Sequence, residues 1–395
     1  MLKHKFKGKI HKNSKKEQFD LWTFYCTTNK NVVKKIPKSK KNWYSLLFFA
    51  ANLLVIGIVF VIQLNSREGV SPLSQVFETG FRVKYILYAF LCFIVANLIS
   101  GLKLNIYHIK LQKKSRFVLC NKAQLMGKYY TKLTPMGVGG QPFQVYYFNK
   151  YKVKTSNSLT MVSSCYVSNK LVYGIIALIM MITYRFNDLL MSQGDTVNIV
   201  IILATISFII LAGFLTFVIL LCVNKKLGNK IITTIIKLLT KIKIIKNPGL
   251  LYLKVMKPTL IFQRKMKKFF ASKLRTLLYL VLSVLEYVIE YSVPFFIYSA
   301  FNGLDFNMYM QLLSISFIIE LACHVVPVPG GSGMAELSFY AVFASLFAEG
   351  CLFWALLLWR FINYYLYLLI GFGIIAYDYA YGNYKRNKRI SNSTK

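Results

Sequence analysis

Pro135-Met136-Gly137-Val138-Gly139 and Pro329-Gly330-Gly331-Ser332-Gly333 share one skeleton, Pro-x-Gly-x-Gly, and stand 194 residues apart. Both lie inside long apolar regions. There proline removes a backbone donor and glycine weakens a helix. Interrupted apolar segments at corresponding places in two halves of a chain are the best sequence pointer to a transporter's binding site. The loop residues singled out are Pro135, Gly137, Gly139 and Gly140 in the first half, and Pro329, Gly331 and Gly333 in the second.

Outward from these loops the chain is oily. It has 395 residues, of which 56% are hydrophobic, with a mean hydropathy of +0.48. Soluble domains carry less apolar residue and more charge. Several windows are long enough to cross a hydrocarbon core of roughly 30 Å. The expectation is an all-α polytopic membrane protein. The net charge of +37 would suggest nucleic acid on a soluble chain. Here the basic residues fall between apolar spans, where they fix topology, because positive loops stay in the cytoplasm. They also attract anionic headgroups of the inner leaflet. The seven cysteines are scattered with no C-x-x-C pair, so no zinc or redox signature is present.

Reading charge against hydropathy places six spans, at about 43–64, 85–106, 159–184, 197–223, 276–300 and 352–381. Residues 1–42 form a basic cytoplasmic arm with no cleavable signal peptide. Residues 43–382 form the membrane domain, and 383–395 a basic cytoplasmic tail. The 224–275 stretch has no Asp or Glu and mixes Ile and Leu with Lys. It reads either as amphipathic helices on the inner leaflet or as a solvated basic loop. Segment 117–148 carries the first glycine loop and has basic flanks on both sides, so it enters and leaves from the cytoplasm. Segment 309–348 carries the second, with Asp305 and Glu349 outside it. The result is six spans plus two re-entrant helical hairpins in an inverted-topology repeat. The tips are expected to meet near the midplane, where loosened backbone needs cover by protein or a wet cavity.

Charges within spans are functional candidates by default. Glu286 and Glu290 lie four apart on one helical face, which calls for a nearby cation or a shared proton. Arg360, with Asn363 a turn later, suits bidentate binding of phosphate or carboxylate. A resting pair with Glu286, Glu290 or Glu336 is the other use for it. Glu336 follows the second loop and reads equally as a carboxylate stabilising a helix start. Glu320 reads as facing water near the outer surface. Lys170, beside Ser163, Ser164, Ser168 and Asn169, marks a cavity-lining face, or else it snorkels. Gln141 and Gln144 sit beside half-helix amides that suit an anion. Asp378 and Arg185 read as interfacial. Among His4, His11, His108 and His324 there is no ligand spacing, and only His324 belongs in the membrane. No metal motif, nucleotide loop or catalytic triad occurs, so no cofactor is expected and transport is favoured over an ATP-driven pump.

Thr134–Tyr147 (TPMGVGGQPFQVYY), Pro327–Glu336 (PVPGGSGMAE) and Leu357–Tyr365 (LLWRFINYY) together resemble the flippase-like transmembrane domain of lysylphosphatidylglycerol synthases, over roughly residues 43–382. The family's residue after the first double glycine falls on Gln141, its acidic residue after the second loop on Glu336, and its final-helix arginine on Arg360. Where relatives often carry an arginine after the first motif, this chain has Gln144. The resemblance implies translocation of an aminoacylated or other polar-headed lipid in the cell membrane. The partners it implies are a membrane phospholipid or lipid-linked substrate, with a separate lipid-modifying enzyme. About fourteen residues follow Tyr381, which leaves no room for the soluble lysyltransferase domain of the two-domain synthases. The alternatives are a membrane component of phosphatidylglycerol lysyltransferase, involving tRNA indirectly, and a scaffold docking an enzyme through 224–275.

Overall fold

A computed structural model describes residues 80–183, 195–223, 233–234, 236, 240, 263–264, 272–347 and 351–393. The expected first span, the basic arm, Arg185, Glu349 and nearly all of the basic stretch lie outside them. The described residues are helical: α1 Val83–Gln112, α2 Phe117–Leu133, α3 Gly140–Lys150, α4 Thr155–Thr183, α5 Asp195–Val223, α6 Lys273–Tyr291, α7 Val293–Asn302, α8 Tyr309–Val325, α9 Met334–Phe343, α10 Cys351–Arg360 and α11 Leu366–Ser393. A π-turn, Phe361–Tyr365, joins α10 to α11. Among these residues there is no strand.

Six helical segments are long and apolar enough to cross a membrane: Val83–Gln112, Thr155–Ile182, Val197–Leu220, Lys273–Asn302, Phe306–Val325 and Cys351–Ala380. Five coincide with expected spans. The sixth, Phe306–Val325, was expected as the incoming arm of the second hairpin. Its 20 residues equal the length that a hydrocarbon core requires. The segment expected as one fifth span is broken at Ser292, where Pro294 in the first turn of α7 restarts the helix. A proline is tolerated there because first-turn amides have no helical acceptor anyway.

The same chemistry interrupts both loop-bearing segments. Thr134 and Val326, each followed by proline, are extended (φ −110°, ψ 143° and φ −78°, ψ 123°) and end α2 and α8. This is the conformation that a following proline imposes. Both chains then turn through two consecutive left-handed residues, Met136 and Gly137 (φ 54° and 68°) in one, Gly330 and Gly331 (φ 62° and 63°) in the other. The turns close with equivalent hydrogen bonds: Gly137 N to Thr134 O and Gly331 N to Val328 O, both 3.1 Å. Next come Val138 N to Pro135 O at 3.4 Å and Ser332 N to Pro329 O at 3.3 Å. The two loops touch each other, Pro135 pairing with Pro329 in an isolated antiparallel bridge.

Packed helices surround this meeting point, while Pro135, Met136, Val138 and Val328 at its surface stay exposed. One apolar cluster joins α1, α7, α8, α9 and α10 through residues such as Phe93, Phe295, Phe339 and Trp359. A second joins α1, α2, α3, α4 and α6 through Tyr107, Met126, Phe148 and Tyr279. A third joins α4, α5 and α8 through Tyr173, Val200 and Phe317. The α8 segment is the most enclosed of the six, 56% of its apolar window being buried, against 22% for α5. Exposed Ile199, Ile202, Ile206, Ile209 and Ile210 give α5 an apolar outer face, as lipid contact demands.

Candidate functional site

The bridged loops form one wall of a pocket. Met136 and Gly137 line it from the first loop, and Val328, Gly330 and Gly331 from the second. Its charged lining is Lys132 from α2, Glu290 from α6, Glu320 from α8 and Arg360 from α10. His324 and Asn363 add polar groups, and Trp359 and Tyr291 add rings. The volume is about 110 Å³, where one water needs about 10–15 Å³. A small polar group fits.

Three carboxylates in and beside the pocket, Glu286, Glu290 and Glu336, are each held by a cation on another helix. Arg360 Nη2 lies 2.6 Å from Glu336 Oε2, both groups nearly buried. Glu336 Oε2 also accepts from Gly333 N at 2.6 Å, at the start of α9. Arg360 Nη1 reaches Gly330 O at 3.4 Å, and its guanidinium lies over the rings of Trp359 and Tyr364. Glu290 Oε1 is held by Lys128 at 2.8 Å. Lys128 also reaches the Tyr367 hydroxyl at 3.1 Å, which takes a further hydrogen bond from Asn97 Nδ2 at 3.1 Å. Glu286, one turn before Glu290, is paired with Lys103 of α1, which has no solvent exposure. Lys103 donates as well to Asn169 Oδ1 (2.7 Å) and Ser283 Oγ (3.1 Å). Such a charge inside a membrane is tolerated because a carboxylate pairs with it and two further oxygens accept from it.

Of the two expectations for Glu286 and Glu290, a nearby cation or a shared proton, each has a lysine beside it, and of three possible carboxylates Arg360 pairs with Glu336. Lys170 does not line the pocket; its ammonium contacts His324 Nε2 at 3.1 Å, while His324 Nδ1 lies 2.6 Å from Glu320 O. Glu320 faces the pocket. The polar face of α4 was expected to line a cavity. Instead Ser168 bonds Tyr107, and Asn169 bonds Lys103 and Tyr279; the face joins helices. Gln144 bonds Gln124 at 2.9 Å inside the first hairpin, and Gln141 is outside the pocket lining. The loop amides of Gly137, Val138, Gly331 and Ser332 are taken by the turns themselves, and Gly139 N by Thr134 Oγ1. Among the amides of the two loops, that of Gly333 meets an anion, the Glu336 carboxylate; the other anion donors are side chains. Asp378 joins α11 to the end of the first hairpin through Lys150 (2.7 Å) and Tyr151 (2.8 Å). Among the described residues no three His, Cys, Asp or Glu side chains cluster as metal ligands.

Sequence reasoning missed Lys103. Its signal was a lysine inside the expected span 85–106, three residues before that span's end. It also missed Lys128 and Lys132, which lie within the loop-bearing segment 117–148 and were assigned no role.

Helical spans enclosing a charged pocket define a multi-pass membrane protein. The chain belongs to the family described as lysylphosphatidylglycerol synthase TM region, which it matches over residues 43–371. No curated protein and no solved structure matches it significantly.

Proposed function

We propose that this protein translocates a polar-headed lipid between leaflets, passing the headgroup through the pocket while the acyl tails stay in the bilayer. The substrate class is an aminoacyl-phospholipid or another anionic or lipid-linked species. The observation that carries the reading is the pocket at the bridged loops, where Arg360 and Lys132 offer cations and Glu290 and Glu320 offer carboxylates. Arg360 and Lys132 take the phosphate; Glu290 and Glu320 take a cationic part of the headgroup. Asn363 adds an amide to the same wall.

The accompanying topology is the inverted repeat: two hairpins entering from opposite faces, both termini cytoplasmic, in the plasma membrane. Its support is the left-handed turn the two loops share after their prolines, and their antiparallel pairing. The basic segments then meet anionic lipid of the inner leaflet. The family's description favours a second reading, as the membrane part of a lysyl-lipid synthase with a lipid-modifying enzyme as partner. Lysine incorporation into phosphatidylglycerol by the purified chain with charged tRNA separates the two.

The test of the first reading is translocation of a fluorescent phospholipid in reconstituted vesicles. Arg360→Ala is expected to abolish it with expression intact. Unchanged transport removes Arg360 from the pathway.

A further inference from the structure

Glu336 sits where a ligand's anion belongs. Its Oε2 takes the amide of Gly333 and lies against Arg360 Nη2, each at 2.6 Å. An amide at the start of a ten-residue helix beside a guanidinium is a donor set for a phosphate oxygen. The carboxylate fills this seat incompletely. Arg360 is 4% exposed, yet its Nε meets no acceptor among the described residues, and Glu336 reaches the guanidinium through Nη2. Nη1 has only the long contact to Gly330 O. Glu336 is the third residue of its own helix, and its Oε2 is tied to that helix's start while it meets the guanidinium at Nη2. A phosphate, with oxygens in several directions, can meet Nε, Nη2 and the amide together. Lys132, on the wall of the same pocket, makes no ion pair among the described residues.

We infer that Glu336 is a resident stand-in for the substrate's phosphate, displaced when a phosphate-bearing headgroup enters. The inference rests on the headgroup reading above and adds its competitor. Glu336 keeps Arg360 neutralised between turnovers and lowers the apparent affinity for phosphate by the fraction of time it holds the seat. Glu336→Gln separates this role from helix capping, because the amide oxygen still accepts from Gly333 N while the negative charge is gone.

The experiment titrates purified full-length protein in detergent with dihexanoyl-phosphatidylglycerol in one arm and inorganic phosphate in another. Binding is read by fluorescence of Trp359, whose ring stacks on Arg360, against a Trp359→Phe control, and by calorimetry. Glu336→Gln is expected to bind the short-chain lipid at least about tenfold tighter than the unaltered protein. Glu336→Asp, whose shorter carboxylate cannot hold both donors, should fall between, and Arg360→Gln should lose binding. Glu336→Gln binding no tighter than the unaltered protein, with unfolding temperature preserved, overturns the inference. Should Glu336→Gln fail to fold, an unchanged affinity in Glu336→Asp does the same. Binding of inorganic phosphate alone overturns the lipid part and assigns the seat to a free anion. Failure of both probes to bind overturns the inference even where vesicles still translocate lipid. Binding that follows this order in a protein that translocates nothing leaves the inference standing and removes the transport reading.

Discussion

Pro135 and Pro329 pair directly, in an antiparallel bridge between two loops that share a left-handed turn at the two residues after each proline. Prolines donate no amide hydrogen, so this contact cannot grow into a sheet. It fixes where the loops meet and leaves the rest of each loop to line the pocket.

That contact is directly testable. Opposed antiparallel residues have Cα atoms about 4.5–5.5 Å apart, within the range of about 4.4–6.8 Å that a disulfide spans. Pro135→Cys with Pro329→Cys, in a background without the native cysteines, is expected to cross-link on mild oxidation. Absence of the cross-link, seen by mass spectrometry after proteolysis, removes the bridge.

The Lys103–Glu286 pair joins α1 to α6 with no exposure of the ammonium. Lys103→Met strands a buried carboxylate and should cost about 3–5 kcal/mol. Lys103→Met with Glu286→Gln should recover most of that. Thermal unfolding of the three variants in detergent checks the order; a double variant no more stable than the single contradicts it.

Lys128, Glu290, Tyr367 and Asn97 form a chain of polar contacts from the pocket wall to α1. Tyr367→Phe removes one hydroxyl and should cost about 1–3 kcal/mol, since it leaves buried Asn97 short of an acceptor. Glu290→Gln keeps the shape and should lower lipid translocation several-fold while the protein stays folded. Vesicle transport measured beside an unfolding curve tells the two effects apart.

Gly330 has φ 62° beneath the Tyr364 ring, and an added Cβ there would collide with that ring. Gly330→Ala should therefore destabilise by about 1–3 kcal/mol. Met136, its counterpart in the first loop, already takes the left-handed conformation with a side chain. Met136→Gly should cost no stability. Calorimetric unfolding of both variants checks the contrast.

Much of this was legible in the sequence because the membrane leaves few options. Long apolar stretches read as helices, and Pro-x-Gly-x-Gly marked both breaks. Carboxylates four apart on an apolar helix announced their cations, though not which ones. Lys128 and Lys132 lie in a segment whose charge argued against burial, so only folding shows one holding Glu290 and the other facing the pocket. Gln144 carried a polar amide of the right type, yet its nearest acceptor was the other arm of its own hairpin. The polar face of α4 faces helices rather than a cavity. Residue type alone cannot separate those surroundings.

The π-turn at Phe361–Tyr365 has a consequence for chain length. A regular helix advances about 100° per residue, so positions seven apart fall on nearly the same side. Arg360 and Tyr367 are seven apart, yet one addresses the second loop and the other the Lys128–Glu290 pair. One surplus residue supplies a phase offset of about a quarter turn, and with it a single rod serves two clients. Residue swaps on the outer faces leave that offset alone. Removing or inserting one position between Arg360 and Tyr367 resets it and takes one of the two out of reach.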